Sequence, residues 1–142
     1  MQVKLSWALF WALVAVFAII AIVVLIPQVR ESIMSFHFLI ISGTVFSLLG
    51  AALIFWTAKE RMGGLQGKFL ILTGASAVGI FVSVLLHNVI YGLFIYWFGA
   101  GFWDRIGVPD EPFFFFMAII ICPVAFLMGT VGTIVLAIKR PG

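Results

Sequence analysis

Four long apolar segments, separated by short polar stretches, dominate the pattern of hydrophobic and polar positions along the chain. None of the four contains an Asp, Glu, Lys or Arg side chain. Uncharged apolar runs of about 20 residues are the signature of membrane-spanning helices. The pattern therefore predicts an all-α integral membrane protein, a bundle of four transmembrane helices in a single domain over residues 1–142. The predicted spans cover residues 7–26, 36–58, 69–98 and 112–138.

Residues that favour helix ends mark the borders of the first two spans. Ser6 and Ser35 are the predicted N-caps of the first and second helices, because a serine hydroxyl can accept a hydrogen bond from a free N–H group of the first turn. Pro27 ends the first helix or kinks its last turn. Residues 28–35 are expected to form a short loop.

The third span is longer than a bilayer requires. Its 30 residues would reach about 45 Å at about 1.5 Å per residue, against a hydrocarbon core of about 30 Å. The helix is therefore expected to tilt, bend or project beyond the bilayer, with Gly74 and Gly79 as the candidate bending points.

The fourth span combines a regular start with an internal break. Pro112 suits a first helical turn, and Asp110 and Glu111 before it complement the positive end of the helix dipole. Pro123 lies inside the span and has no N–H group to offer the carbonyl of Ile119. We therefore predict that the fourth helix is kinked at this proline.

Small residues recur at helical spacing in three of the spans. Such faces allow two helix backbones to approach closely in a membrane. They are Ala8, Ala12 and Ala15 in the first span, Gly43, Ser47 and Gly50 or Ala51 in the second, and Ala118, Cys122, Ala125 and Gly129 in the fourth.

The composition agrees with a lipid environment. Hydrophobic residues make up 65% of the chain and charged residues 9%, whereas soluble domains average about 45–50% and about 25%. The stretches outside the four spans are too short for a separate soluble domain. The net charge of +3 does not indicate a nucleic-acid partner, because the basic residues lie in short loops and at the termini rather than in a run.

The placement of lysine and arginine predicts the orientation. Six of these residues lie at the termini and in the middle loop, and two lie in the other loops. Because cytoplasmic loops carry the excess of Lys and Arg, both termini are predicted to be cytoplasmic in a cell membrane, with the basic side against the anionic inner leaflet. The six are Lys4, Lys59, Arg61, Lys68, Lys139 and Arg140, and the two are Arg30 and Arg105.

One group of polar side chains lies deep in the third span. His87 and Tyr91 are four residues apart and can meet on one helix face, which also carries Ser76 and Ser83, while Asn88 points about 100° away. Polar groups at membrane depth are costly and often functional, but hydrogen bonds between helices need no ligand. We expect His87 to be buried between helices, bonded to Tyr91 or to a hydroxyl of another span, without an acid nearby.

No cofactor or metal site is predicted. A histidine pair can ligate haem in a helical bundle, but His37 stands at the start of the second span and His87 lies several turns inside the third. A structural zinc site needs several Cys, His or carboxylate ligands at one place. The single cysteine, Cys122, also excludes an internal disulfide.

Three functions are compatible with this pattern. The preferred one is a non-enzymatic assembly or accessory unit of a membrane complex or homo-oligomer, because small-residue faces recur and the spans carry no formal charge. Ion-coupled transporters usually keep a buried ionisable group. The small multidrug transporters resemble this chain in size and span number, but the acidic residue of their first span has no counterpart here. The alternatives are a channel or small-molecule carrier lined by the polar face of the third span, and a redox subunit that uses His87 with haem or a quinone.

Overall fold

The computed structural model describes residues 4–139, and the regular elements of this part of the chain are all helical. Four of the helices are long and apolar enough to cross a membrane. The predicted all-α bundle of four long apolar helices is therefore confirmed. The helices are α1 (Leu5–Leu25), α2 (Pro27–Ile33), α3 (Phe36–Lys59), α4 (Gly64–Phe98), α5 (Phe102–Arg105) and α6 (Pro112–Lys139).

The helix ends follow some of the expected signals and not others. The Ser35 hydroxyl accepts a hydrogen bond from the Phe38 N–H group at 3.1 Å and caps α3, as predicted. The prediction for Ser6 is wrong, because Lys4 occupies the N-cap position of α1 and Ser6 is buried inside the helix. Its hydroxyl bonds to the end of α3 instead.

Residues 28–35 do not form the expected loop. Most of them belong to α2, which begins at Pro27, where the fixed backbone angle of proline suits a first helical position. The Ser32 hydroxyl donates a hydrogen bond to the Gln28 carbonyl at 3.0 Å. None of the α2 residues is buried, so this short helix lies on the surface. The end of α1 at Leu25 agrees with the predicted stop at Pro27.

Helix α4 is the centre of the bundle and packs against both α3 and α6. It has 35 residues and would reach about 52 Å at about 1.5 Å per residue, well beyond a hydrocarbon core of about 30 Å. It begins at Gly64, five residues before the predicted start at 69. The extra turn forms because Gln66 and Gly67 are buried against the rest of the bundle.

The small residues of α3 face α4, as their spacing predicts. A Cβ atom placed on Gly50 would lie 2.7 Å from the Gly74 carbonyl oxygen, and one on Gly74 would lie 2.6 Å from the Gly50 carbonyl oxygen. Nearer the start of α3, a Cβ atom on Gly43 would lie 2.8 Å from the Phe81 ring. Ala51 is exposed, so Gly50 makes the close contact. Helix α4 continues through Gly74 and Gly79, and bending at either stays a prediction.

The small residues of α6 face the other side of α4. A Cβ atom on Gly79 would lie 2.9 Å from the Cys122 sulfur, and one on Gly132 would lie 2.6 Å from the Phe69 ring. A Cβ atom on Gly129 would lie 2.8 Å from the Thr73 backbone nitrogen. The small-residue face predicted for the fourth span is therefore a packing face within the chain.

Helix α1 lies at the side of the bundle and packs mainly on α3. The Phe17 ring stacks on Phe126 of α6 at 4.5 Å between ring centroids, and Phe46 of α3 lies 5.4 Å from the same ring. The expectation that Ala8, Ala12 and Ala15 receive a neighbouring helix fails within this chain, because Ala8 and Ala15 are exposed and Ala12 is only half-buried. The large side chains Phe10 and Leu13 fill the inward face of α1 instead. No other helix in the described residues covers the alanine face.

Helix α6 loses its regular geometry just before Pro123. Residues Met117–Ile121 form a π-helical turn, and the Cys122 N–H group donates to the Met117 carbonyl, five residues back. In an α-helix that N–H group would donate to the Ala118 carbonyl, and Pro123 has none for the Ile119 carbonyl. Two carbonyls therefore lose their usual donors at the place the proline predicts, while the kink angle itself stays a prediction.

The two ends of the bundle differ in charge. We call the end that carries Lys59, Lys68 and Lys139 the basic end, and the end that carries Asp110 and Glu111 the acidic end. The starts of α1 and α4 and the ends of α3 and α6 meet at the basic end, where Ser6 contacts Glu60 and Gln66 contacts the Thr133 carbonyl. Arg140, which is part of the orientation argument, lies outside the described residues.

Candidate functional site

The acidic end places Glu111 at the N-terminus of α6. Its carboxylate accepts hydrogen bonds from the Phe113 N–H group at 2.8 Å and from the Phe114 N–H group at 3.0 Å. Pro112 occupies the first helical position, as predicted. A carboxylate at this position satisfies free N–H groups and interacts favourably with the positive end of the helix dipole. Glu111 is only 5% exposed although it lies outside the predicted span.

His87 contacts both acids that precede α6. Its Nδ1 atom lies 3.0 Å from the Glu111 carbonyl oxygen and 3.3 Å from the Glu111 carboxylate. Its Nε2 atom lies 3.4 Å from the Asp110 carboxylate. We call His87, Asp110 and Glu111 the acidic-end cluster. The side chain of His87 is 17% exposed and that of Asp110 is 43% exposed, so the cluster lies between the surface and the interior.

Two expectations for His87 are therefore wrong. Its partners are neither Tyr91 nor a hydroxyl of another span, and acids do lie nearby. The reason is tertiary: α6 runs antiparallel to α4 and begins beside His87, so the residues just before α6 reach the imidazole. The sequence contains one signal for this contact. Asp110 and Glu111 immediately precede the fourth span, and because consecutive spans run in opposite directions, the start of the fourth lies at the same end of the bundle as the second half of the third.

The ring nitrogens of His87 face three oxygen atoms: the Glu111 carbonyl, a Glu111 carboxylate oxygen and an Asp110 carboxylate oxygen. All three are hydrogen-bond acceptors. A neutral imidazole that donates from Nδ1 to the Glu111 carbonyl has only a lone pair on Nε2 to face the Asp110 carboxylate. A protonated imidazole donates from both nitrogens and also pairs its charge with the two carboxylates. The contacts of His87 with the start of α6 therefore depend on its protonation.

Tyr91 belongs to a different group of side chains. Its ring stacks on Trp103 of α5 at 5.7 Å between centroids and 10° between planes, and the Trp103 indole N–H donates to the Tyr91 carbonyl at 3.2 Å. Phe94 and Phe102 pack on the same tryptophan. This aromatic group holds α5 against the end of α4. Arg105 assists by donating to the Phe98 carbonyl at 2.6 Å.

The remaining predicted site residues do not join the cluster. Asn88 is exposed, and its amide donates to the Val84 carbonyl of its own helix at 2.8 Å. Ser76 is buried and donates to the Leu72 carbonyl at 2.7 Å. Ser83 is also buried. Of the five residues predicted as one polar cluster, His87 contacts the acids before α6 and Ser83 contacts the Cys122 thiol of α6, so the five do not form one site.

Two grooves flank Phe115 at the acidic end. The first, of about 330 Å³, is formed by the turn before α6 and the first turn of that helix. The second, of about 240 Å³, lies between α4 and the π-helical turn. The first is lined by Val108, Pro109, Asp110, Glu111, Pro112 and Phe115. The second is lined by Val84, His87, Asn88, Phe115, Ala118 and Ile119.

A second polar contact closes the basic end and was missed by sequence reasoning. The Glu60 carboxylate accepts hydrogen bonds from the Ser6 hydroxyl and from the Ser6 N–H group, the latter at 3.3 Å. Burial opposes ionisation of this carboxyl, but the hydrogen bonds from Ser6 and Leu5 and the nearby charge of Lys4 outweigh it and lower the pKa of Glu60. The sequence signal for this contact is the serine in the first turn of α1, Ser6, together with the acid at the end of α3, Glu60.

The described residues do not form a metal-binding site. Residues 4–139 contain no group of three or more His, Cys, Asp or Glu side chains placed to hold a metal ion. His37 is exposed at the start of α3. Both ring nitrogens of His87 already face acceptors, so axial ligation of haem by this histidine would require its contacts with α6 to break.

Comparison with protein-family models, with curated protein sequences and with solved structures found no match.

Proposed function

We propose that this chain is a non-enzymatic assembly or accessory unit of a membrane complex or homo-oligomer, and that it associates laterally through α1. The observation that carries the proposal is the small-residue face of α1. The chain's own helices fill the corresponding faces of α3 and α6, whereas Ala8 and Ala15 of α1 are exposed on the outside of the bundle.

The outward face of α1 has the spacing of a helix-pairing seam. Its members recur at steps of three and four residues, the pattern with which two helices interlock side chains along a shared line. Alanines in this line allow the backbones to approach, which strengthens packing between helices in lipid. All five residues are exposed, including Trp11 at 52% and Ile22 at 51%. The seam consists of Ala8, Trp11, Ala15, Ala18 and Ile22.

The proposed location is the cell membrane, with both termini in the cytoplasm. The excess of lysine and arginine at the basic end supports this orientation. Lys59 lies 4.1 Å from the centroid of the Trp56 ring, which keeps a positive charge at the depth where tryptophan usually lies in a bilayer. The basic end would then contact the anionic lipids of the inner leaflet.

A matched pair of alanine substitutions tests the lateral association. Ala15→Leu adds bulk in the middle of the seam, whereas Ala51→Leu adds the same bulk at an exposed alanine of α3. In membranes extracted with a mild detergent, native gel electrophoresis should show the complex of the wild-type chain reduced by Ala15→Leu and retained by Ala51→Leu. Equal complexes in both variants, or no complex larger than one copy in the wild type, would refute the proposal.

A further inference from the structure

The register between α3 and α4 shows where α3 begins relative to its neighbour. The two helices run antiparallel, and a Cβ atom on Gly43 of α3 would contact the Phe81 ring of α4. Phe36, the first residue of α3, lies seven residues before Gly43, and Asn88 lies seven residues after Phe81. Because both helices rise by about 1.5 Å per residue, Phe36 is level with Asn88.

Helix α6 begins at the same level, because His87 contacts Glu111, the residue immediately before it. Helix α4 continues to Phe98. We call its residues 89–98 the projecting end, which extends about 15 Å past the starts of α3 and α6 at about 1.5 Å per residue. Helix α5 packs on one side of the projecting end, through Trp103.

The projecting end reaches out of the hydrocarbon. The 24 residues of α3 span about 36 Å, already more than a hydrocarbon core of about 30 Å. The full length of α4, about 52 Å, also exceeds a bilayer of about 40–45 Å with its headgroups. Acyl chains therefore cannot cover the apolar side chains near the tip of α4. Exposed apolar surface outside lipid marks contact with another protein.

A line of exposed residues runs along α4 onto the projecting end. Its members, Val82, Leu85, Val89, Gly92 and Tyr96, recur at steps of three and four residues, and we call them the α4 line. In this spacing valine occupies the a positions and leucine a d position, a combination that favours two parallel helices. Val89 is 60% exposed and Tyr96 84%. A Cβ atom on Gly92 would meet nothing within 4 Å, so a second helix can approach there.

From this geometry we propose that the α4 line binds the α4 line of a second copy of the chain, in a parallel pair. The occupant has to be apolar inside the hydrocarbon, along Val82 and Leu85, and has to continue outside it, along Gly92 and Tyr96. A lipid meets only the first condition, and a soluble protein only the second. Helix α4 itself meets both. Because all copies share one orientation in the membrane, their α4 helices run parallel.

The proposal goes beyond the association through α1 and is independent of it. Helix α1 packs mainly on α3, and its seam shares no residue with the α4 line. The α4 line carries no charged side chain, so it does not require a partner of opposite charge. The same patch serves both copies, as a two-fold pair requires.

Disulfide formation between single cysteines tests the pair. Two differently tagged copies, each with Cys122→Ala and one new cysteine, are expressed together and oxidised in native membranes with copper phenanthroline. Equivalent residues of the line face each other across a parallel pair. Val89→Cys, Gly92→Cys and Tyr96→Cys should therefore each give a disulfide-linked dimer that carries both tags.

Phe98→Cys is the matched control. Phe98 is 53% exposed, but it points about 160° away from Tyr96 around the helix. Its cysteines would lie too far apart for a disulfide, which needs Cα atoms about 4.4–6.8 Å apart, so we expect about tenfold less dimer than from Tyr96→Cys. Equal dimer from Phe98→Cys, or none from the three positions of the line, would overturn the proposal. A disulfide-linked product with a different protein would overturn the second copy as the occupant.

Added bulk tests the same contact by a second route. Gly92→Leu, which meets open space within one chain, should suppress the disulfide dimer of Val89→Cys. Ala51→Leu on α3 should leave it unchanged. Ala15→Leu, which tests the seam of α1, should also leave it unchanged, so the two contacts are tested separately. An undiminished dimer in Gly92→Leu would contradict close approach of the two helices along the α4 line.

Discussion

At the scale of single residues, Glu111 performs two structural tasks with one carboxylate. It satisfies the free N–H groups of Phe113 and Phe114 at the start of α6, and it contacts the imidazole of His87 on α4. Because Glu111 is almost fully buried, its charge depends on these partners for compensation. The Glu111 side chain therefore helps to join the start of α6 to the second half of α4, together with the contact between Asp110 and His87.

Removal of this carboxylate should destabilise the acidic end. Glu111→Ala leaves the N–H groups of Phe113 and Phe114 without their cap, which typically costs about 1 kcal/mol. Glu111→Gln keeps an accepting oxygen and should cost less. Thermal unfolding of the purified variants in one detergent measures the difference, and equal melting temperatures for the two variants would argue against the capping role.

The contact between Ser6 and Glu60 should make stability depend on pH. The pKa of Glu60 is lowered in the folded chain from the ordinary value of 4.5, so its contribution is present above that value and is lost as the pH falls through the folded pKa. Between pH 6 and pH 3.5, the wild type should lose more unfolding free energy than Ser6→Ala, which lacks the hydroxyl. Ser32→Ala, which removes a hydrogen bond on the surface of α2, should lose as much as the wild type.

At the scale of the helices, close backbone contact fixes the position of α3 against α4. Gly50 and Gly74 face each other so closely that a Cβ atom on either would overlap the carbonyl of the other. Backbone carbonyls cannot move aside as a flexible side chain can. The glycines are therefore needed for the approach of the two helices, whereas Gly92 farther along α4 has no neighbour within 4 Å of a Cβ position.

Alanine substitutions at these glycines should have opposite effects. Gly74→Ala forces α3 and α4 apart, and overpacking of this kind costs about 1–3 kcal/mol. Gly92→Ala meets open space and replaces a residue that disfavours helix, which should stabilise α4 by up to about 1 kcal/mol. Melting temperatures of the two variants test the contact. A neutral Gly74→Ala would mean that the helices are not in backbone contact there.

The sequence predicts the positions of the helices better than their partners. Uncharged runs locate the four spans, and Ser35 and Pro112 mark true helix starts, because these signals are local. The sequence does not predict which face of α1 is buried, because α1 is apolar on every side. Its alanines are compatible with packing against a helix of this chain or of another chain. The partners of His87 lie more than 20 residues away and depend on how α6 packs on α4. The residues of α2 contain turn-forming types and a proline, which are compatible with either a loop or a short helix.

At the scale of the whole molecule, polar contacts close the two ends of an apolar bundle, and one long helix remains at its side. Glu60 is bonded by Ser6 at the basic end, and His87 is bonded by the start of α6 at the acidic end. Between them, α4 is enclosed by α3 and α6, whereas α1 covers α3 and presents its alanine seam outward. The proposed lateral association rests on this exposed seam.

A cysteine scan along α1 in native membranes tests this lateral contact most directly. The scan uses a Cys122→Ala background and places one cysteine at each position from 8 to 22, followed by a short bifunctional thiol cross-linker. Cross-linking, to a second copy or to a partner chain, should peak at Ala8, Trp11, Ala15, Ala18 and Ile22, and should be minimal at the inward positions Phe10, Leu13 and Phe17. Uniform cross-linking along the helix, or none at the seam positions, would contradict the account.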